Sequence, residues 1–307
     1  MSRRLALLAL LLLLPRPAAA YFEDVRTGSR GLAIGPSAIA VVTDASSYYW
    51  NPAGLAELPK TEVTADWISM YGLSELSSGA VAAATRVRGT SFGVAWHHLG
   101  LENVYAEDQL CAAAARRVLT TGSGHRLSAG LTFKFSRAAF EPFAVSGGGI
   151  ADYGAISRGS FDAGLRLQTP WRTDVAYVVR DVFRPRYEFV EGSGGHQQAR
   201  RSELAAAFRW NRESTFSVGW SQLGDGRSTL STGLEINFYD VFAIRTGLSN
   251  LATVYRSYGL PENIQYEGGF GVYHHGYHVD AVASTTRELG ASYRVTVRVP
   301  VSIGGQP

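Results

Sequence analysis

Seven histidines and a single cysteine are the residues from which this chain could build a metal or nucleophile site. Imidazole is the commonest ligand of zinc and copper and the commonest general base near neutral pH. His97 and His98 are adjacent, and His274, His275 and His278 cluster in "HHGYH". Neighbours on a strand point to opposite faces, so His97 and His98 do not readily share one ion. His274 to Gly276 reads as a tight turn at a strand end. No Gly-x-Ser-x-Gly elbow and no Walker loop is present. "EGSGGHQQARR" (Glu191 to Arg201) is rich in glycine but follows no strand-to-helix step, so it reads as a flexible outer loop rather than a phosphate cradle. Cys111 has no second cysteine to pair with, so there is no disulfide framework. These residues point away from an enzyme and call for neither a metal nor a cofactor.

The chemistry is therefore sought in how the chain is laid out. Residues 1–20, "MSRRLALLALLLLLPRPAAA", run from arginines through an apolar stretch to small residues, the order of a secretory signal peptide. Cleavage is expected before Tyr21. Removing its three arginines from the 29 basic residues leaves 26, equal to the 26 acidic ones. A nucleic-acid surface needs a retained basic excess, so a nucleic-acid partner is not expected. No later apolar stretch is long enough for a membrane helix, so a membrane-spanning form must be a barrel.

From Glu62 onward the chain alternates with the strand period of two. Leu127, Ala129, Leu131, Phe133 and Phe135 share one face, against Ser128, Gly130, Thr132, Lys134 and Ser136. Fourteen segments are expected, starting near Glu62, Ser78, Thr90, Asp108, His125, Arg158, Arg172, Arg200, Ser214, Ser228, Val241, Ile264, Gly276 and Leu289. Alternation alone fits a soluble sandwich or a membrane barrel. Loop lengths separate the two. Connections after even segments are tiny ("RG", "TPW", "NRE", "YD"), whereas Arg137 to Ser157, Arg184 to Ala199 and Leu251 to Asn263 are long. Outer-membrane barrels sort their loops in this way. Trp67, Trp96, Trp171, Trp210 and Trp220 near segment ends suit interfacial girdles. The expected fold is all-β: a transmembrane antiparallel barrel of about 14 strands over residues 61–307, set in outer-membrane lipid. Residues 21–60 form a small N-terminal hatch in its lumen, entering from the periplasmic side.

The hatch stretch is "SRGLAIGPSAIAVVTDASSYYWNPAGLAEL", Ser29 to Leu58. Gly28, Gly31 and Gly35 allow tight backbone paths. Thr43 and Asp44 read as helix-start residues. Asn51 followed by Pro52 is a helix-start pair, with proline at the first helical position. The stretch resembles the N-terminal signature of the FadL-like outer-membrane proteins, with the PorV/PorQ branch nearest. The shared features are the Gly-rich opening, the Asp-Ala-Ser step and the Asn-Pro-Ala-Gly-Leu turn. The resemblance implies a fourteen-stranded barrel with a hatch, and two alternative roles. One is passage of small hydrophobic, fatty-acid-like molecules across the outer membrane. The other is service to type IX protein secretion, with exported proteins or secretion machinery as partners. Gating would then fall on Arg30, Gly31, Gly35, Asp44, Tyr49, Trp50, Asn51, Pro52 and Gly54.

Two expected outer loops are apolar: "AAFEPFAV", with Phe140 and Phe143, and "NLATVYRSYGL", with Val254, Tyr255 and Tyr258. They could form a groove that captures apolar molecules, or pack on each other over the mouth. Lumen-facing Lys134, Asp162, Arg166, Glu203, Arg209, Glu235, Arg245, Glu267, Asp280, Arg294 and Arg298 carry both signs in near balance. Such charges are expected to pair with one another and with the hatch rather than to select ions.

Overall fold

The alternating segments become fourteen long antiparallel strands. They are β1 (Glu62–Ser69), β2 (Leu76–Val87), β3 (Thr90–Leu101), β4 (Tyr105–Thr120), β5 (Arg126–Phe140), β6 (Ala155–Gln168) and β7 (Thr173–Arg180). They continue as β8 (Arg201–Arg209), β9 (Ser214–Leu223), β10 (Ser228–Phe238), β11 (Phe242–Ser249), β12 (Gln265–His274), β13 (Tyr277–Thr286) and β14 (Gly290–Pro300). This computed structural model describes residues 26–145, 149–190, 195–224, 226–251, 253–254, 264–286 and 290–302. The expected signal peptide lies outside the described residues.

Each strand pairs with the next, and β14 pairs with β1 from Glu62↔Pro300 to Ser69↔Tyr293. The sheet is thereby closed and has no edge, which is the condition for placing strands in a bilayer. Strand starts fall within three residues of those expected from the alternation. Two of the short connections are two-residue turns with both residues at positive φ, Arg88-Gly89 (50° and 82°) and His275-Gly276 (50° and 85°), and Tyr239-Asp240 (52° and 54°) repeats the pair within a connection of three residues. That conformation matches the right-handed twist of the flanking strands. The long connections leave from the opposite end, after β5, β7 and β11. Two of them carry small pairings of their own, Phe143–Val145 with Gly149–Ala151 and Arg186–Tyr187 with His196–Gln197.

The side-chain faces decide between sandwich and membrane barrel. Leu131, Phe133 and Phe135 are exposed at 56%, 52% and 46%, while Thr132, Lys134 and Ser136 between them are buried. Apolar residues point out and polar residues point in, the reverse of a soluble sandwich. Trp67, Trp171 and Trp210 also face outward. The protein is a transmembrane β-barrel.

Its packed core lies inside the barrel. Residues 26–58 carry α1 (Ser29–Ile34), a 3-10 turn at Pro36–Ala40, α2 (Ser47–Trp50) and a second 3-10 turn at Pro52–Glu57. Ile34, Ile39, Val42 and Trp50 pack against Ala176, Val178, Ala205 and Ala207 of β7 and β8. Tyr48, Leu55 and Leu58 pack against Ala82, Ala84, Ala95, Cys111, Ala113 and Ala115 of β2 to β4. Fully burying one such large apolar side chain contributes about 1.5–3 kcal/mol. Small wall residues make room for it.

Candidate functional site

The contact between this inner segment and the barrel wall is the most elaborate feature of the molecule. It is built first on missing side chains. Gly130 and Gly164 are register partners on β5 and β6. A Cβ on Gly130 would lie 2.4 Å from the Pro52 carbonyl carbon, and one on Gly164 would lie 2.1 Å from Asn51 Oδ1. Gly233 and Gly247 are likewise partners, on β10 and β11. A Cβ on either would run into the backbone of Ile34, at 2.3 and 2.7 Å. The wall thus has two glycine pairs, one under Asn51–Ala53 and one under Ile34–Gly35. Within the segment the same device recurs: Gly31 faces the Trp50 ring at 2.3 Å and Gly54 faces the Val42 carbonyl at 2.5 Å.

Hydrogen bonds then fix the segment's path. Asn51 Oδ1 accepts from the Ala53 amide at 3.0 Å and caps the Pro52–Glu57 turn, as the Asn-Pro pair predicts. Its Nδ2 donates to the Ile39 carbonyl at 3.1 Å and to the Leu165 carbonyl of β6 at 3.2 Å. Trp50 Nε1 donates to the Thr27 carbonyl at 2.7 Å, and the Trp50 ring meets Tyr49 edge-on at 5.4 Å. Arg180 of β7 donates to the carbonyls of Tyr49 and Trp50 and lies 4.8 Å from the Tyr49 ring centre. Glu57 takes Arg117 of β4 through both oxygens, at 2.8 and 2.9 Å.

Charges close the arrangement. Arg30 binds Glu235 of β10 in two parallel bonds of 2.8 Å. Glu235 binds Arg245 of β11 at 2.6 Å, and Arg245 binds Asp280 of β13 at 2.7 Å. Asp280 meets Arg298 of β14 at 3.4 Å, Arg298 meets Asp44 at 2.9 Å, and Asp44 returns to Arg30 at 3.8 Å. Three arginines and three carboxylates form one ring, and two of the six belong to the inner segment. A buried charge is tolerable only when paired, and here each lies between two of opposite sign. Burial alone would raise the Asp44 carboxyl, but Arg298 and Arg30 more than reverse this and hold it below the ordinary carboxylate range. A second network joins Lys134 to Asp162 (2.7 Å) and Asp181 (2.5 Å), and Arg180 to Glu203 (2.7 Å).

Arg30, Gly31, Asp44, Tyr49, Trp50, Asn51, Pro52 and Gly54 therefore all lie in this contact. Gly35 joins α1 to the first 3-10 turn at φ 79°, which favours glycine. One expectation needs correction. Thr43 and Asp44 do not start a helix: α2 begins at Ser47 behind Ser46, with no side-chain cap. Asp44 instead accepts from the Ser46 amide and hydroxyl, at 3.0 and 2.5 Å, and spends its other oxygen on Arg298. Phe140 lies half-buried against Tyr105 (4.7 Å), Tyr153 (5.9 Å) and Phe189 (4.8 Å), which joins two long loops. Phe143 is 45% exposed and touches Tyr153. The backbone at Val254 pairs with Ser228 of β10; Tyr255 and Tyr258 lie outside the described residues. His98 binds Asp108 at 3.0 Å. Sequence reasoning missed Arg180 as a clamp and the two glycine pairs. Glycine recurring on the inward face of neighbouring strands was the available signal.

No family model matches the chain, and no curated protein does. Solved structures do. A FadL homologue from Pseudomonas aeruginosa superposes with a TM-score of 0.58 at 10% identity, covering 89% of this chain and 98% of that one. The monoaromatic hydrocarbon channel CymD gives 0.56 at 10% identity, covering 88% and 97%. The toluene transporter TodX of Pseudomonas putida gives 0.56 at 10% identity, covering 87% and 95%. At such identities the likeness is one of architecture, and over nearly its whole described length this chain has the fold of those barrels.

Proposed function

We propose that the protein is an outer-membrane barrel that passes small hydrophobic molecules, with residues 26–58 acting as a hatch. The observation that carries this reading is the ion-paired, glycine-seated segment inside a closed fourteen-stranded barrel. Lumen charges balanced by pairing offer no sieve for one sign of ion. A channel or transporter for hydrocarbons is what two of the structural neighbours are named for, which supports an apolar solute. Passage then needs either displacement of the hatch or a route beside it.

The test is uptake of radiolabelled toluene by cells whose outer leaflet is lipopolysaccharide, since that leaflet, unlike a phospholipid bilayer, holds hydrocarbons back. Cells producing the folded barrel should take up toluene several times faster than cells with an empty vector. Equal rates would refute the reading. The alternative, a PorV-like accessory to type IX secretion, rests on the Ser29–Leu58 signature alone and draws no support from these neighbours. Stoichiometric co-purification with exported proteins would be needed to restore it.

A further inference from the structure

Six cations are buried among the described residues: Lys134, Arg166, Arg180, Arg245, Arg294 and Arg298. Five have a carboxylate at 2.9 Å or closer. Arg294 is 4% exposed, and no described residue makes an ion pair or hydrogen bond with it. Its Nε and Nη1 are fully enclosed and bonded to nothing. Asp66, on the neighbouring strand, is the carboxylate within reach of its charge. That carboxylate is already committed, accepting from the Gly28 amide at 2.8 Å and from the Thr296 hydroxyl. Arg26, also within reach, is bound to Glu267 at 3.3 Å. An enclosed cation without a partner is among the most costly features a fold can keep. Among the described residues the other five buried cations are paired and this one is not.

The position of Arg294 gives this meaning. On β14 it lies one inward step beyond Thr296, toward the end of the barrel that carries the long loops. Thr296 accepts from the Ser29 amide at 2.7 Å and so marks where the hatch meets this strand. Arg294 stands just outside that seam. Its register partners are Ile68 on β1 and Val282 on β13, both buried and apolar. Tyr48 and His97 are the other titratable groups that feel its charge.

We propose that Arg294 receives the carboxylate of a small apolar acid at the hatch seam. A guanidinium takes a carboxylate through two parallel N–H···O bonds, which would supply both the missing charge and the missing acceptors. Ile68 and Val282 offer apolar contact to the body that carries the acid, which a bare inorganic anion would not use. The inference deepens the transport reading and rests on it for the source of the ligand: the solute that waits at the hatch is an acid, not a neutral hydrocarbon.

The probe is benzoate, with benzyl alcohol as its uncharged twin, titrated calorimetrically into the full-length barrel in a nonionic detergent. Benzoate should bind once per barrel. Arg294→Gln should weaken it by about tenfold or more, the loss expected for one charge-assisted pair. Arg294→Lys, which keeps the charge but not the planar fork, should weaken it about threefold. Benzyl alcohol should bind all three barrels alike. Absence of benzoate binding to the native barrel, or equal benzoate affinity in the glutamine variant, overturns the proposal. If the glutamine variant does not fold, the lysine variant decides, and affinity equal to native overturns it. Arg294-dependent benzoate binding beside a failed toluene assay would keep this site and remove the transport reading. Toluene uptake with benzoate binding indifferent to residue 294 would do the reverse.

Discussion

Adding one methyl group at Gly164 should unseat the hatch while leaving the barrel intact. The Cβ of Gly164→Ala would lie 2.1 Å from Asn51 Oδ1, 3.0 Å from Pro52 Cδ and 3.2 Å from Asn51 Cγ. Ordinary contact begins near 3.4 Å, so the Asn51 carboxamide must retreat by about 1.3 Å. It cannot do so cheaply, because it is held at 3.0, 3.1 and 3.2 Å by Ala53, Ile39 and Leu165. Overpacking costs about 1–3 kcal/mol. Loss of one or two of those bonds adds about 1 kcal/mol each. Together this is about 2–5 kcal/mol against the docked hatch, which raises the undocked-to-docked ratio by about thirtyfold to several thousandfold. Gly268→Ala is the control, since its Cβ meets nothing within 4 Å. The assay is maleimide labelling of a cysteine placed at Ala56, which is wholly buried, combined with ion conductance in planar bilayers. Gly164→Ala should speed labelling at least tenfold and raise conductance, with strand content unchanged. Labelling and conductance equal to those of the Gly268→Ala barrel would refute the seating argument.

The charge ring gives a second expectation: Arg298→Met should weaken hatch docking by about 1.5–3 kcal/mol, because Asp44 loses its guanidinium at 2.9 Å and keeps only Arg30 at 3.8 Å. In a double-mutant cycle with Asp44→Asn the coupling should exceed the roughly 1 kcal/mol of an exposed pair, and a coupling near zero would break the ring as an energetic unit. Acid should loosen the hatch through the same carboxylate. Asp44 titrates below its ordinary value, so its contribution is present above the unfolded value of about 4 and is lost as pH falls through the lower, folded one. Labelling at position 56 should therefore rise on acidification below about pH 4 in the native barrel, and the Asp44→Asn barrel should lack that part of the rise. On the outer face, Phe133→Arg should cost about 2–4 kcal/mol of barrel stability in lipid vesicles, and unfolding at the native urea concentration would contradict the assignment of that face to lipid.

Strand positions were legible because they depend on a period of two, and that period is local. Lys134 and Phe133 are adjacent, and their alternation shows whichever strands lie beside them. The direction of each face was not legible from alternation alone; it came from loop sorting, and exposure of Phe133 against burial of Lys134 then agreed with it. The Asn51-Pro52 cap was readable for the same local reason. Pairings across the lumen were not. Asp44 and Arg298 are 254 residues apart, and only the closure of β14 onto β1 brings them together. The glycine pairs likewise need the register: Gly130 and Gly164 stand 34 positions apart in the chain and opposite each other in the sheet. The helix start expected at Asp44 failed because a carboxylate chooses the strongest donor available. Two guanidiniums from a distance outcompete a helix end nearby.

What the geometry says about opening follows from how the contacts are distributed. The inner segment is seated on glycine pairs on two separate parts of the wall, β5–β6 and β10–β11, and is tied by charge to β4, β10, β12 and β14. Glycine seats are short-range and vanish with a shift of an ångström or two, because a 6–12 contact loses much of its depth over that distance. Ion pairs decline more gently with distance and can re-form with water or with each other. Glu235 and Asp280 each hold Arg245 as well as a ring neighbour. If Arg30 withdraws, Glu235 keeps Arg245; if Asp44 withdraws, Arg298 keeps Asp280. The wall half of the ring is thus satisfied without the hatch, while Asp44 and Arg30 on the hatch can satisfy each other as they leave. A ring built from six alternating charges can split into a wall set, Glu235–Arg245–Asp280–Arg298, and an Asp44–Arg30 pair, with no charge orphaned. The cost of opening is therefore concentrated in the glycine seats, and those are the positions at which a solute or a mutation should move the equilibrium most.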